Sequence, residues 1–378
     1  MVPSLYLHLP FCTASCAYCA FYSEPMTHWK GIWPAYVRRM RKEIRRAREK
    51  YGGFDTVFLG GGNPGSLPPE ALATLLEEAG GGRETTVEMN PESLTDAYEP
   101  LFGEGLVDRV SMGVQSLNER TLRTLGRTST RAQTLEGIAR LGRFQEKYHI
   151  AVNFDLIACV PGQTVADSVE DVGQLLSLSD PDHISLYCLT LEPDTALERR
   201  VRKGQLAMIG EDEQADCLYT LWDYLEKHRY EHYEVSNFAK DGSYCIHNLH
   251  YWHLDPYVGI GSHAAGREPR TDGGMDATEN SQDLRQYAGG VEGSGYAVEH
   301  LTRQEECEEY LLTGLRIKWG IDKARFQSRF GCSFDSLFSR QVAGIDGKLI
   351  VDDPSRFALT EKGMMVLDQV LLCLAQAL

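Results

Sequence analysis

The sequence predicts an α/β protein: an open, partial TIM-like (β/α)6 barrel of parallel strands, followed by a smaller, winged-helix-like α+β unit. First, apolar, β-branched runs alternate with segments of helical periodicity from Ser4 to Leu189, as is typical of parallel strands joined by crossover helices. Second, this repetition stops near Glu192, and a helix-rich pattern with two short strand-like runs follows Thr302. Six strands are too few for a closed eight-stranded barrel, so we expect an open sheet.

Each expected element has its own pattern. The predicted strands, which are short runs rich in apolar and β-branched residues, are Ser4–Leu9, Thr56–Leu59, Thr85–Met89, Arg109–Gly113, Ile150–Ile157 and His183–Leu189. The predicted helices, with apolar residues at helical spacing, are Ala35–Lys50, Pro69–Ala79, Leu94–Phe102, Arg131–Phe144, Ala166–Leu176 and residues 211–229. In the C-terminal unit we expect helices at Thr302–Leu315, Asp322–Phe330 and Thr360–Leu374 and strands at Lys348–Val351 and Arg356–Leu359.

Length and composition fit two or three domains. The chain has 378 residues, of which 42% are hydrophobic, and this is ample for a sizeable core. We expect the barrel to occupy residues 1–190, an extension of the barrel 191–299, and the winged-helix-like unit 300–378. Residues 267–299 are rich in Gly, Asp, Glu and Ser, so we expect an exposed insertion or linker there.

The formal net charge of −16 disfavours nucleic acid as a partner, because an acidic surface repels phosphates. The one basic stretch, Arg38 to Lys50, contains Glu43 and Glu49, and we interpret it as the solvated face of a helix. No apolar run reaches the roughly 20 residues that a membrane span needs. No leader-like block opens the chain, so we expect a reducing cytoplasm.

Three cysteines follow the first predicted strand with the spacing C-x3-C-x2-C: Cys12, Cys16 and Cys19. Thiolates this close in sequence can converge on one small volume, which suits an iron–sulfur cluster. Three ligands on a four-iron cube leave one iron open to a substrate or cofactor. The alternatives are a disulfide with a spare thiol, disfavoured in a reducing compartment, and zinc, which usually takes four ligands in paired C-x2-C motifs.

Polar and glycine residues mark the ends of the next predicted strands. The second strand runs into Gly60–Gly61–Gly62–Asn63, and a glycine-rich turn lets the backbone approach a ligand closely. The residues at or near the following strand ends are Glu88, Gln115, Arg127 and Asp155. A single residue of this kind can be a helix cap or a surface charge. All of them together, at the carboxyl edge of a parallel sheet, indicate a ligand site.

The segment from Tyr230 to Gly266 holds five histidines and several aromatic residues. A single histidine here is most simply a surface or core residue. The HNLHYW sequence, His247 to Trp252, suggests more, since a histidine beside flat aromatic rings can bind a haem iron while the rings pack on the porphyrin. We therefore identify this segment as a candidate haem site.

A series of motifs in fixed order then points to a family. Between about residues 4 and 266 the chain reads LYLHLPFC, C-x3-C-x2-C, GGG-x-P, E-x-NP, S-x-GVQS, LGR, D-x-I…PGQT, YE-x-SNFA, HN-x-x-YW and GIG. In these motifs it resembles the radical S-adenosylmethionine (SAM) superfamily and, within it, the oxygen-independent coproporphyrinogen III oxidase (HemN)-like family. Its closest resemblance is to the haem chaperones of the HemW type.

The resemblance implies a [4Fe–4S] cluster on Cys12, Cys16 and Cys19, with SAM on the open iron. It implies SAM contacts at Tyr6, Gly61, Gly62, Asn63, Glu88, Gln115, Arg127 and Asp155, and haem as cargo at His247. The decarboxylating oxidases carry a further cysteine two residues after the third, where this chain has Phe21. The usual GGGTP also reads GGGNP here, so Asn63 departs from the pattern.

Three functions remain open from the sequence. The first is a haem chaperone that delivers haem to membrane-linked respiratory proteins. The second is a radical SAM enzyme acting on coproporphyrinogen III or on another substrate, such as a methyl acceptor, as the complete SAM motifs suggest. The third, a nucleic-acid-directed protein using the winged-helix-like tail, is the weakest because of the acidic charge. The sequence does not distinguish a monomer from a dimer.

Overall fold

The computed structural model of the protein describes residues 2–29, 31–290 and 295–378. Its strands are Ser4–Leu9 (β1), Phe11–Cys12 (β2), Glu24–Pro25 (β3), Thr56–Gly61 (β4), Glu84–Met89 (β5), Arg109–Gln115 (β6), Ala151–Ala158 (β7), His183–Cys188 (β8), Glu231–Glu234 (β9), Asn237–Ala239 (β10), Tyr257–Ile260 (β11), Ala265–Pro269 (β12), Met275–Glu279 (β13), Ala297–His300 (β14), Ile321–Asp322 (β15), Ile350–Asp352 (β16) and Arg356–Leu359 (β17).

The helices follow the strands in the expected alternation. They are Met26–Trp29 (α1), Trp33–Tyr51 (α2), Pro69–Ala79 (α3), Glu99–Gly103 (α4), Glu119–Thr124 (α5), Arg131–Tyr148 (α6), Val165–Leu178 (α7), Ala196–Arg202 (α8), Glu211–Lys227 (α9), Ile246–Trp252 (α10), Leu284–Gly289 (α11), Arg303–Gly314 (α12), Lys323–Phe330 (α13), Phe334–Val342 (α14), Glu361–Met364 (α15) and Leu367–Ala375 (α16).

One large sheet forms the barrel, in the order β14-β13-β12-β11-β1-β4-β5-β6-β7-β8-β10-β9. The strands from β11 to β8 in this order are parallel to their neighbours, and the flanking strands are antiparallel. The predicted α/β fold with an open parallel sheet is confirmed. The prediction missed β11, a seventh parallel strand that pairs with β1, because its four residues follow an irregular segment and repeat no pattern.

Helix α2 shows how local sequence produces these elements. It has Pro34 in its first turn, where the missing N–H costs no hydrogen bond, and it ends at Gly52, whose φ of +80° favours glycine. The buried stripe of α2 comprises Tyr36, Val37, Met40, Ile44 and Ala47. On its basic face, Arg41 and Arg45 form ion pairs with Glu78 of α3. This agrees with a largely solvated helix face.

The structure corrects the prediction of an exposed linker at 267–299. Strands β12, β13 and β14 form an antiparallel extension of the main sheet, and α11 packs against α2. Residues 291–294 of the expected linker lie outside the described part of the chain. The Gly- and Asp-rich composition marks the turns between these short strands, such as the turn at Gly273, and it conceals the strands themselves.

The C-terminal unit has its own hydrophobic core, centred on Phe326, Phe334, Phe338 and Phe357. The order of elements α12, β15, α13, α14, β16 and β17, with a small sheet ordered β15-β17-β16, matches the expected winged-helix-like organisation. The sequence prediction missed α14, and the expected final helix is divided into α15 and α16. No helix among the described residues is long and apolar enough to cross a bilayer.

Candidate functional site

The cysteine loop and the glycine turn lie side by side because β1 and β4 are parallel neighbours, with Leu9 paired to Gly61. Both loops therefore leave the sheet at its carboxyl edge. The Gly62 amide donates to the carbonyl oxygen of Leu9 (2.9 Å), and the Asn63 amide donates to that of Phe11 (2.8 Å). A Cβ on Gly62 would lie 2.8 Å from the carbonyl oxygen of Phe11, so only glycine permits this contact.

Two backbone hydrogen bonds fix the middle of the cysteine loop. The Ala17 amide donates to the carbonyl oxygen of Leu125 (2.8 Å), and the Leu197 amide donates to that of Ala17 (2.7 Å). Gly126 has a φ of +70°, and a Cβ there would lie 2.8 Å from the Ala17 nitrogen. The LGR motif thus holds the loop close to the barrel through its leucine and its glycine.

The thiols of Cys12, Cys16 and Cys19 are partly buried, and the other two are near enough to help raise the pKa of Cys12. Burial raises the pKa of Cys12 to about 11, so iron binding would have to displace its proton. Among the described residues, no three His, Cys, Asp or Glu side chains are arranged to hold a single metal ion. In a [4Fe–4S] cube each of the three thiolates binds a different iron, so the thiolates need not converge on one point. The three cysteine thiols of this loop fit such a cluster.

Arg127 connects the cysteine loop to two strand ends. One terminal nitrogen lies 3.6 Å from Cys16 Sγ, and the other donates to Asn90 Oδ1 (3.0 Å) and to the carbonyl oxygen of Gly113 (2.8 Å). Its Nε is buried without a protein partner in the described structure. A guanidinium with one unused donor at this point suits a carboxylate group of a ligand.

Glu88 lies at the end of β5 and accepts a hydrogen bond from the Gly61 amide (3.3 Å). A Cβ on Gly60 would come within 2.7 Å of Glu88 Oε2, so the glycine turn makes room for this carboxyl. Burial, and then the nearby charge of Asp155, raise the pKa of Glu88 to about 8. A cationic group placed between the two carboxyls would favour the ionised form of both.

Asp155 and Gln115 complete the carboxyl edge. Asp155 accepts from Asn153 Nδ2 (2.8 Å) and Ser111 Oγ (3.2 Å), while burial raises its pKa. Gln115 follows an irregularity in the β6–β7 register and has a φ of +66°. Its side-chain oxygen is buried with no partner in the described structure. This strained residue presents an unused acceptor to the site.

A polar cavity of about 320 Å³ lies inside the barrel. Tyr6, Glu88 and Asp155 line it, together with Arg109 and His183. The Tyr6 hydroxyl shares a hydrogen bond of 2.9 Å with His8 Nδ1. The two carboxyls suit the ammonium or hydroxyl groups of a ligand such as SAM, whereas Gln115 and Arg127 are not part of the cavity lining.

The side chain of Asn63 makes its hydrogen bonds to neighbouring loops and is not part of the cavity lining. Its Oδ1 accepts from the amides of Gly65 and Asn90 (3.2 Å each), and its Nδ2 donates to Ser93 Oγ (2.6 Å). The side chain is 1% exposed. Asn63 therefore fastens the glycine turn to the loop after β5, and a contact with SAM through its side chain stays a prediction.

Sequence reasoning missed Asn90, Ser111 and Asn153, which orient Arg127 and Asp155. Signals for two of them were present. Asn90 lies within the E-x-NP motif, and Asn153 is two residues before Asp155, so it shares the same face of its strand. Ser111 lies on the neighbouring strand, and only the β6–β7 pairing brings it to Asp155.

His247 lies at the opposite end of the barrel. Its Nδ1 contacts Thr56 Oγ1 (2.7 Å) at the start of β4, and its Nε2 is 2.8 Å from the Tyr251 hydroxyl. The ring stacks on Phe58 and is 0% exposed. Five strand positions separate Thr56 from Gly61, or about 16 Å. In this conformation both ring nitrogens are used, so haem ligation by His247 stays a prediction that requires α10 to move away.

The raised pKa of Glu88 makes a pH-dependent stability testable. In the unfolded chain this carboxyl has its ordinary pKa of 4.5, whereas in the folded, SAM-free protein it is about 8. As the pH rises between these values, the unfolded state loses a proton that the folded state keeps, so stability falls. We expect Glu88→Gln to gain stability relative to the parent by on the order of 2–4 kcal/mol from about pH 5 to about pH 9.

Urea unfolding at several pH values measures this difference. Asp272→Asn is a suitable control, because Asp272 is exposed and its pKa is lowered by Arg270. A Glu88→Gln difference that does not change with pH would contradict the assignment of a protonated Glu88.

Comparison with known proteins finds relatives over nearly the whole chain. Residues 6–175 match the family model of the radical SAM superfamily, and residues 301–366 match that of the HemN C-terminal domain. The heme chaperone HemW of Lactococcus lactis is 34% identical over 95% of this chain and 94% of its own length. That of Bacillus subtilis is 30% identical over 97% of each.

A mitochondrial radical S-adenosyl methionine domain-containing protein 1 from Danio rerio is 31% identical over 97% of this chain and 86% of its own. Among solved structures, coproporphyrinogen III oxidase (HemN) from Escherichia coli is similar in fold, with a TM-score of 0.80 and 21% identity, over 100% of this chain and 91% of that one. The two family models and the full-length identities agree with one another. The chain therefore belongs to the radical SAM superfamily and, within it, to the family of the HemW proteins.

Proposed function

We propose that this protein is a haem chaperone that carries a [4Fe–4S] cluster and SAM at the carboxyl edge of its barrel. Membership of the superfamily implies the cluster and SAM; haem as cargo is the further step. One observation carries it: Phe21, 76% exposed, stands two residues after Cys19, where the decarboxylating oxidases have a cysteine. Relatives named heme chaperone, matched over nearly their whole length, support the same choice.

The proposed roles of the site residues follow from their contacts. Cys12, Cys16 and Cys19 would hold the cluster, and their loop is fixed by Leu125 and Leu197. The proposed SAM contacts are Tyr6, Gly61, Gly62, Glu88, Gln115, Arg127 and Asp155, with Asn63 positioning the glycine turn. When bound, a reduced cluster supplies an electron to the sulfonium of SAM at its open iron.

The residues of this chain would bind and orient SAM. Glu88 and Asp155, whose carboxyls both lie within the cavity, are placed to accept hydrogen bonds from an ammonium or from ribose hydroxyls. Arg127 has one unused donor beside Cys16.

Three domains are also part of the proposal: a core at 1–190, its extension at 191–299 and a C-terminal unit at 300–378. The hydrophobic cluster around Phe326 supports that boundary, since all of its buried members except Leu254 belong to the last unit.

The rival function is a radical SAM enzyme that cleaves SAM productively on a porphyrinogen or another substrate. The carboxyls that line the cavity favour this enzyme function, because they are placed to hold SAM.

As a chaperone, the protein would pass haem to respiratory proteins at the membrane, and neither role needs nucleic acid. A monomer and a dimer are both compatible with this proposal.

Anaerobic reconstitution followed by two separate assays distinguishes these functions. As a chaperone, the protein should bind added haem, with a Soret band that saturates near one haem per chain, and it should transfer this haem to an acceptor haem protein. Release of 5′-deoxyadenosine should stay slow and independent of coproporphyrinogen. Rapid release in step with porphyrinogen loss, without haem binding, would refute the chaperone proposal.

A further inference from the structure

Some of the eleven histidines have no ring nitrogen available to bind iron in this conformation. Three histidines use both ring nitrogens in hydrogen bonds: His183, His247 and His250. A haem ligand needs an accessible nitrogen lone pair and an apolar surface on which the porphyrin can pack. His263 meets both requirements, and sequence reasoning did not single it out.

The hydrogen bonds around His263 determine its tautomer. Its Nδ1 lies 3.1 Å from Ser262 Oγ, and the Ser262 hydroxyl donates its own proton to the carbonyl oxygen of Ser281 (2.7 Å). The serine oxygen can then only accept, so Nδ1 carries the proton and Nε2 carries the lone pair. No hydrogen bond to Nε2 is found among the described residues, and the ring is partly exposed. Burial also lowers the pKa of His263, which favours the neutral ring.

His263 lies at the same end of the barrel as the cysteine loop. It follows β11, which is parallel to β1, so both segments leave the sheet at the carboxyl edge. The ring of Tyr22 stacks on that of His263, with centroids 3.6 Å apart and an angle of 17° between the planes. Phe21, the neighbour of Tyr22, is 76% exposed. An available imidazole therefore stacks on Tyr22, which is one residue from the exposed Phe21 and three residues from Cys19 along the chain.

We propose that His263 is the axial ligand of the haem cargo, with Nε2 on the iron, Tyr22 stacked on the face of the imidazole and Phe21 against the porphyrin. This inference rests on the proposed chaperone function. Covering Phe21 with a porphyrin removes apolar surface from water and contributes to binding. Haem at this position lies against the loop that carries the cluster, so the state of the cluster can influence how firmly haem is held.

The test compares the parent protein with His263→Gly by titrating ferric haem into the anaerobically reconstituted full chain. We expect the variant to lose the spectrum of histidine-ligated haem and to bind about tenfold more weakly or worse. Added imidazole should restore the parent spectrum by filling the space left by the side chain. Iron content and SAM binding should stay unchanged, which shows that the variant is folded.

The chain offers a matched control in His228. This histidine also stacks on a tyrosine, Tyr224 (4.4 Å), and also bonds through Nδ1, to the Tyr224 carbonyl oxygen (2.7 Å), but it lies at the end of α9. His228→Ala should bind haem like the parent. If His228→Ala and His263→Gly lose equal affinity, binding is to the surface in general and the assignment is overturned.

The remaining outcomes separate this inference from the chaperone proposal. If the parent binds no haem, the proposed function fails, and the inference fails with it. If the parent binds haem and His263→Gly gives the same spectrum and affinity, only the assignment of His263 fails. Loss of the spectrum in His247→Ala, with His263→Gly unchanged, would transfer the ligand to α10.

Discussion

Replacing Cys12, Cys16 or Cys19 by alanine is expected to abolish the brown iron–sulfur chromophore of the anaerobically reconstituted protein. The three thiols occupy one short loop that the barrel holds at Leu125 and Leu197. A four-iron cube with only two protein ligands would have two open irons, so we expect it to be lost. Iron analysis should fall from about four per chain to near zero, and the charge-transfer absorption should disappear.

Cys332→Ala is the matched control for this loss. Cys332 is partly buried like the loop cysteines, but it belongs to the C-terminal unit. It should retain full iron content, as should Cys159→Ala. A parent protein that contains zinc, or loop variants that keep their iron, would contradict the cluster assignment and remove the basis for SAM binding.

Replacing Arg109 by alanine is expected to destabilise the barrel by about 3–5 kcal/mol, because it leaves a buried carboxylate without its partner. Arg109 Nε donates to Glu84 Oε2 (2.8 Å), and the two side chains are only 4% and 7% exposed. One terminal nitrogen of Arg109 donates to the carbonyl oxygens of Ser243 and Tyr244, just before α10. The change therefore weakens both the sheet and the segment that carries His247.

Arg123→Ala provides the comparison for this effect. Arg123 pairs with Glu119 on the surface, where the side chains are 71% and 64% exposed, and its loss should cost about 0.5 kcal/mol or less. Urea unfolding followed by far-UV circular dichroism measures both variants. Equal midpoints for the two would show that the Arg109–Glu84 pair does not support the barrel.

Much of the site could be predicted because it depends on local order along the chain. Parallel strands bring their carboxyl ends to one edge, so Glu88, Gln115 and Asp155 had to lie together once the alternation of strands and helices was recognised. Their partners were harder to predict. Asn63 has the expected position, but its hydrogen bonds to Asn90 and Ser93 depend on how two loops meet.

The cysteines outside the loop show the same limit. Cys159, Cys188 and Cys217 are far apart in sequence, yet their thiols lie near enough to influence the pKa of Cys159. The pairing of Ala158 with Cys188 brings β7 and β8 together, and α9 packs Cys217 against them. No spacing rule in the sequence predicts this contact, since it is made across three separate elements.

The sequence by itself determined the parallel α/β architecture, the cysteine loop and the residues at the carboxyl edge, because periodicity and strand order are properties of neighbouring residues. The tertiary structure alone decided which histidine is available. His247 and His263 both lie in the aromatic segment, but the helix of His247 closes the amino end of the barrel, whereas His263 follows β11 to the carboxyl edge. Burial and the use of ring nitrogens are set by packing between distant elements, and local sequence carries no record of that packing.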